Sequence, residues 1–172
     1  MSQYDNIDMG KINQIIDNIE TNSQSMDVIV DEIILPYVKD LDECVEYIDS
    51  RLCEKDNPPT DAELEKFCLN LSSLIYFAGG LCERLGIRDG IAKAVYKETY
   101  NTSRDTAKGT VQDKNSLAEL ASQHEQLVSI AYNSAYRVVK SKVDNAQELL
   151  SSCKKAISRR MQEASLTNLS GG

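Results

Sequence analysis

Few side chains in this sequence have the type and spacing that nucleophilic or acid–base catalysis requires. His124 is the single histidine, and it lies on an apolar stripe between Leu120 and Leu127. A histidine in such a stripe is typical of a helix interface, so we do not expect a catalytic base. The five cysteines are widely spaced, which excludes a CxxC pair and predicts reduced, buried thiols. They are Cys44, Cys53, Cys68, Cys82 and Cys153.

Carboxylates occur in groups that a divalent cation could use. Asp42, Glu43 and Glu46 fall on one predicted helix, and oxygen ligands of this kind suit Mg²⁺. A solvated acidic face, or a docking face for a basic partner, is the commoner role of such a group. The sequence contains no HExxH motif, no paired HxH and no glycine-rich phosphate loop. We therefore expect no enzyme activity, no bound metal and no cofactor.

The composition favours an all-α fold. The chain has 172 residues, 41% of them hydrophobic, with only three prolines and eight glycines. Such a length suits one domain, and a chain so poor in helix breakers favours helix throughout. The N-terminus MSQYDNIDMG is too polar for a signal peptide, and no stretch approaches the roughly 20 apolar residues of a membrane span. We expect a soluble, cytoplasmic protein that does not contact a membrane.

Apolar residues recur every three or four positions in the first part of the chain, which predicts amphipathic helices. The first helix covers 8–22, and the second covers about 26–55, where Pro36 should kink or split it. An Asn-Pro-Pro stretch ends the second helix. Thr60 followed by Glu63 then predicts a capping box at the start of the next helix, because the two side chains can bond reciprocally to the backbone.

Two long helices follow. The first covers about 62–108, where Gly79-Gly80 predicts either a kink or a close approach of two helices. Gly109 predicts the turn, and Thr110 or Asp113 can cap the second helix, which covers about 113–163. Its spacing predicts a coiled-coil-like seam. The seam consists of Leu117, Leu120, His124, Leu127, Ala131, Ala135, Val138, Ala146, Leu149, Cys153 and Ile157.

These elements predict an all-α protein built on a long antiparallel hairpin of about 62–108 and 113–163. A helix that long exceeds what a compact chain of 172 residues can cover, so we expect a homo-oligomer. The predicted organisation has three parts. They are acidic N-terminal helices at 1–57, the hairpin at 58–165 and a disordered tail at 166–172.

Charge changes sign along the chain. The first 65 residues contain 17 acids and 4 bases, whereas residues 137–172 contain 3 acids and 7 bases. This asymmetry predicts an acidic and a basic surface with different partners, although opposite ends that attract each other, within or between subunits, would give the same pattern. Bases late in a helix also suit its macrodipole. Tyr132 and Tyr136 flank the basic run and could either pack or stack on unpaired bases.

The second half of the chain resembles known proteins. The stretches AVYKETYNTSRDTAKGTVQDKNSLAEL and YRVVKSKVDNAQELLSSCKKAISRRMQE form a Tyr- and Lys-rich helix and then a helix with a basic end. This layout, over about 91–163, is similar to that of phage recombination mediators of the UvsY type. The resemblance implies a ring-forming helical phage protein in the host bacterial cytoplasm that binds single-stranded DNA and assists recombination. By position, it implies DNA contacts at Arg137, Lys140, Lys142, Lys154, Lys155, Arg159 and Arg160.

Two other functions remain open. In the first, the acidic N-terminal helices bind a basic surface of a host or phage protein, as an anti-defence protein that imitates nucleic-acid phosphates would. The residues expected to bind that partner are Asp40, Asp42, Glu43 and Glu46. In the second, the protein is purely structural, and the seam of the long helix is its whole purpose.

Overall fold

The structure is a computed structural model that describes Val28, Asp31 and residues 34–170, with the side chains of 167–170 left out. These residues form four helices and no strand, which confirms the all-α fold class. The helices are α1 (Leu35–Cys53), α2 (Asp61–Thr106), α3 (Val111–Ala121) and α4 (Gln123–Ser170). The helix predicted at 8–22 lies outside the described residues.

Helix α1 begins at Leu35, so Pro36 lies in its first turn. Val38, Leu41 and Ile48 form its buried face. The described residues before Leu35 are also helical, Val28 in α-helical and Asp31 and Ile34 in π-helical geometry. The kink or split expected at Pro36 therefore stays a prediction.

Helix α2 begins with the predicted capping box. The backbone N–H of Glu63 donates to Thr60 Oγ1 at 3.3 Å, and the backbone N–H of Thr60 donates to the Glu63 carboxylate at 2.8 Å. Both bonds satisfy N–H groups that the first turn would otherwise leave unpaired. The same carboxylate accepts from Thr60 Oγ1 at 2.9 Å. The capping box is confirmed.

Helix α2 runs without a break through Gly79-Gly80. A Cβ atom built on either glycine would meet no heavy atom of its surroundings within 4 Å, so the predicted close approach at this pair is wrong. The close approach occurs at Gly86 instead, where an added Cβ would lie 3.2 Å from Tyr136 Cε2. Gly86 lets the ring of Tyr136 rest against the backbone of α2.

The turn after α2 is the one that the sequence predicts. Gly109 has φ of 125°, a left-handed conformation that a residue with a Cβ rarely adopts. Thr110 then caps α3, since its side chain accepts from the backbone N–H of Asp113 while the Asp113 carboxylate accepts from the N–H of Thr110. The capping box of α3 is therefore formed by Thr110 and Asp113 together.

The prediction of one helix after the turn is wrong. The segment forms two helices, α3 and α4, which meet at Ser122. This residue has φ of −106° and ψ of 9°, outside the helical range. Its hydroxyl donates to the carbonyl of Ala118 at 2.7 Å, a contact that competes with regular helix geometry. Helix α4 then continues to Ser170, beyond the predicted end at Glu163.

The chain forms two compact units, and each contains a part of α2 and a part of α4. Unit 1 comprises Gly80–Val139 with the described residues as far as Tyr37. Within it α2 and α4 run antiparallel, since Asn133 Nδ2 donates to Asp89 Oδ2 at 3.2 Å and Tyr136 packs on Gly86. The antiparallel pairing of the predicted hairpin is thus present in this unit.

The predicted seam is buried in unit 1 at Ala131 and Ala135, but it fails in α3. Leu117 and Leu120 are 49% and 70% exposed, whereas their neighbours Ala118 and Ser122 are buried. The buried face of α3 therefore carries small residues, and its leucines face outward. The buried side chains that α4 contributes to this unit are Ser129, Ala131, Tyr132, Ala135 and Val139.

Unit 2 comprises Val38–Gly79 and Lys140–Gly172, so α1, the first part of α2 and the last part of α4 pack together. Arg160 on α4 lies beside Asp61 at the start of α2. Apolar side chains from all three helices fill the core, as burial of one face of each helix requires. The buried core residues are Val38, Leu41, Ile48, Leu64, Phe67, Leu71, Ala78, Val143, Ala146 and Cys153.

None of the helices that the structure describes is long and apolar enough to cross a membrane.

Candidate interaction surfaces and a cavity

Unit 2 brings the predicted basic and acidic residues together within one chain. Lys142 Nζ on α4 donates to Asp42 Oδ2 on α1 at 2.8 Å, and both side chains are partly buried. From the sequence, Lys142 was expected to contact DNA and Asp42 to contact a protein partner. In the structure they bond to each other, so opposite charges at the two ends of the chain attract within a subunit.

Arg160 makes a second contact of this kind. Its guanidinium donates to Asp61 Oδ1 at 2.8 Å and to the carbonyl of the buried Pro59 at 2.8 Å. The guanidinium thus holds the end of α4 against the loop that precedes α2. A base with two such partners has fewer donors left for a phosphate.

Arg51 joins α1 to the start of α2. Its guanidinium donates to Glu63 Oε1 at 3.1 Å, to Glu54 and to the carbonyl of Asn57. The two hydrogen bonds from Thr60 and the guanidinium of Arg51 lower the pKa of Glu63 to about 2. This network fixes the turn between the two helices.

The seven predicted DNA contacts divide into two sets. Lys140, Lys142 and Arg160 are in ion pairs with acids of the same chain, Lys140 with Asp144 at 2.8 Å. The other four are exposed and make no ion pair with the described residues. They are Arg137 in unit 1 and Lys154, Lys155 and Arg159 in unit 2.

The predicted partner-binding acids also divide. Asp42 is taken up by Lys142, and Glu43 pairs with Lys39 on its own helix at 3.4 Å, where both side chains are mostly exposed. Asp40 and Glu46 are exposed as well. Asp49 is exposed on the same helix, although the sequence analysis did not single it out. We name the exposed carboxylates Asp40, Glu43, Glu46 and Asp49 the acidic surface of α1.

The thiols do not form a reactive centre. All five cysteines are free, but the predicted burial is met only by Cys153, since Cys53 is exposed and the others are intermediate. Burial raises the pKa of the Cys153 thiol, and the nearby Cys68 raises it further, so the thiolate is disfavoured at neutral pH. The described residues contain no group of three or more His, Cys, Asp or Glu that could hold a metal ion.

The tyrosines that could have stacked on bases differ in their surroundings. Tyr132 is buried at 6% exposure, and burial raises the pKa of its hydroxyl. Tyr136 packs against Gly86. Both rings therefore make packing contacts within unit 1, and stacking on unpaired bases stays a prediction.

Unit 1 contains a cavity of about 420 Å³ that the sequence analysis missed. Arg88, Ile91, Ala92 and Val95 of α2 form one wall, and His124, Glu125, Val128 and Tyr132 of α4 form the other. His124, expected on a packed seam, is exposed at this cavity. The three- and four-residue spacing within each group is a signal in the sequence, but it indicates only that each group shares a helix face.

No protein-family profile, no curated protein and no solved structure matches the chain. The resemblance to recombination mediators therefore has no support beyond the residues that suggested it.

Proposed function

We propose that the chain is a non-enzymatic helical interaction protein that uses the acidic surface of α1 to bind a basic surface of a protein partner. One observation carries this proposal. Asp42 lies against Lys142 and holds α1 on α4, whereas Glu43 and Glu46 remain exposed with Lys39 as the only base beside them on α1. One carboxylate of the helix thus supports the fold, whereas Glu43 and Glu46 face solvent.

Electrostatics also favours a basic protein over DNA as the partner. The chain has a net charge of −8, which repels a polyanion and attracts a basic surface from a distance. Three of the seven predicted DNA contacts are already paired with acids of the chain. Tyr47 is 57% exposed on α1 and adds an aromatic side chain of the kind enriched at protein interfaces.

A labelled lysine-rich peptide is a suitable first probe, titrated with the full chain in a salt series. We expect binding that weakens as salt rises, because exposed charges are screened. The double reversal Glu43→Lys with Glu46→Lys should abolish it. Asp42 is left unchanged, since its loss would loosen α1 instead of testing the surface.

The matched control reverses Glu98 and Asp105, two exposed acids of α2 in unit 1. It changes the net charge by the same amount and should keep most of the binding. Equal losses in the two double variants would mean that only net charge matters, and the proposed surface would be wrong.

Single-stranded DNA is the second candidate partner, and one observation favours it. Lys154, Lys155 and Arg159 are exposed near the end of α4 and make no ion pair with the described residues. Phosphate contacts by such bases release counterions, so affinity for a labelled oligothymidylate would fall steeply with salt. The variant Lys154→Glu with Arg159→Glu should remove this binding, while Lys97→Glu with Arg104→Glu in unit 1 should keep it.

Assembly is tested on the same samples by light scattering. The homo-oligomer, the phage origin and the role in recombination stay predictions of the sequence analysis. A mass of one chain at working concentration would contradict the oligomer.

A further inference from the structure

We propose that the cavity of unit 1 binds a small zwitterion with an apolar side chain, of the class of the aliphatic α-amino acids. The cavity presents one cation, one carboxylate and an apolar wall to the same space. Nothing in the proposed function involves this site, which lies in the other unit of the chain.

The two charges of the cavity do not satisfy each other. Arg88 and Glu125 both line it, yet they form no ion pair and neither pairs with another described residue. Oε2 of Glu125 is buried and has no hydrogen-bond partner among the described residues. Buried polar atoms in folded proteins are nearly always bonded, so an orphaned carboxylate oxygen beside a cavity needs an explanation.

A third polar group faces the same cavity. Tyr132 is only 6% exposed, and its hydroxyl makes no hydrogen bond within the described part of the chain. Arg88 on α2 and Tyr132 on α4 line the same cavity. Together they offer donors to one carboxylate, which suits the planar fork of an arginine.

The remaining wall is apolar and open. Ile91 and Val95 are 52% and 45% exposed at the cavity, and Val128 lies across from them. An aliphatic side chain would cover these groups and remove their surface from water. The volume of about 420 Å³ falls within the range of about 300–1,000 Å³ that small-molecule sites occupy.

The assignment of contacts follows from charge. The ligand carboxylate accepts from Arg88 and the Tyr132 hydroxyl, and the ligand ammonium donates to Glu125. Arg88 and Glu125, which form no ion pair with each other, would each pair with the opposite charge of the ligand. No bond is made or broken, so the site serves recognition and not catalysis.

Nuclear magnetic resonance titration of the full chain with L-leucine tests the proposal, with two probes that each lack one charge. 4-Methylpentanoate has the carboxylate and no ammonium, and 3-methylbutylamine has the ammonium and no carboxylate. We expect saturable shifts with leucine and affinities at least roughly tenfold weaker with either probe, as the loss of a charged hydrogen bond implies. Equal affinity for leucine and 4-methylpentanoate, or no saturable shift with leucine, would overturn the proposal.

Variants assign the contacts. Arg88→Gln should weaken leucine binding roughly tenfold or more and leave the affinity for 3-methylbutylamine unchanged. Glu125→Gln should do the reverse, sparing 4-methylpentanoate. The controls are Arg104→Gln and Glu119→Gln, which remove exposed charges of unit 1 outside the cavity and should change nothing. A control that weakens leucine binding as much as its matched variant contradicts the site, and circular dichroism confirms that each variant is folded.

Discussion

Lys142 on α4 and Asp42 on α1 lie 2.8 Å apart, so a base from the basic end of the chain is bonded to an acid from its acidic beginning. The pair explains how one chain holds segments of opposite charge in contact. It also removes one residue from each of the two predicted binding surfaces. Part of the charge asymmetry in the sequence therefore serves to hold segments of the same chain together.

The first prediction concerns this pair. A double-mutant cycle of Lys142→Ala and Asp42→Ala should give a coupling of about 0.2–1 kcal/mol in urea denaturation, because the pair is partly exposed. The coupling should shrink in high salt. The cycle of Lys39→Ala and Glu43→Ala, a mostly exposed pair within α1, is the control and should show a smaller coupling. A larger coupling energy for Lys39 and Glu43 than for Lys142 and Asp42 would mean that the ion pair between α1 and α4 does not stabilise the fold.

The second prediction is a pH dependence. Glu63 has a pKa of about 2 in the folded chain, below its ordinary value of 4.5, so its ionised form stabilises the fold at every pH above about 4.5. That stabilisation is lost as the pH falls from about 4.5 towards 2. The Tm of the native chain should exceed that of Glu63→Gln near neutral pH, and the two should converge near pH 2. A Tm difference that is constant over this range would contradict the assigned cause, and Glu65→Gln on the same turn serves as the control.

The third prediction separates two glycines of α2. Gly80→Ala should stabilise the chain by up to about 1 kcal/mol, because alanine is the better helix former and nothing lies within 4 Å of the new methyl. Gly86→Ala should stabilise the chain less than Gly80→Ala does, or destabilise it, because the new methyl would lie 3.2 Å from Tyr136. Chemical denaturation of both variants measures the difference. Equal stabilisation would mean that the ring of Tyr136 moves aside freely.

The fourth prediction tests the register of α3. Leu120→Ser should change the free energy of unfolding by less than about 0.5 kcal/mol, since Leu120 is 70% exposed. Ala118→Leu should cost about 1–3 kcal/mol, because Ala118 is fully buried and a larger side chain overpacks the site. If Leu120→Ser instead lowers the oligomer mass in light scattering, the exposed leucines are part of an interface between copies.

Local signals in the sequence predicted the local structure well. The capping box of Thr60 and Glu63 was predicted from the sequence because it involves only neighbouring atoms. Thr110 and Asp113 were predicted as alternative caps, and the structure uses both together. Gly109 was readable as the turn because only glycine adopts its φ without strain. The all-α class followed from composition and apolar spacing, which depend on no distant contact.

Contacts between residues far apart in the sequence could not be predicted from such local signals. The spacing of Leu117 and Leu120 suits a buried stripe, yet Ala118 and Ser122 face the core, because packing selects among faces of similar spacing. Nothing local indicates that Lys142 meets Asp42, or that Arg88 and Glu125 share a cavity. Helix type and helix ends thus follow from residues a few positions apart, whereas the partner of each charge depends on which helix faces meet, and that is a property of the whole packed chain.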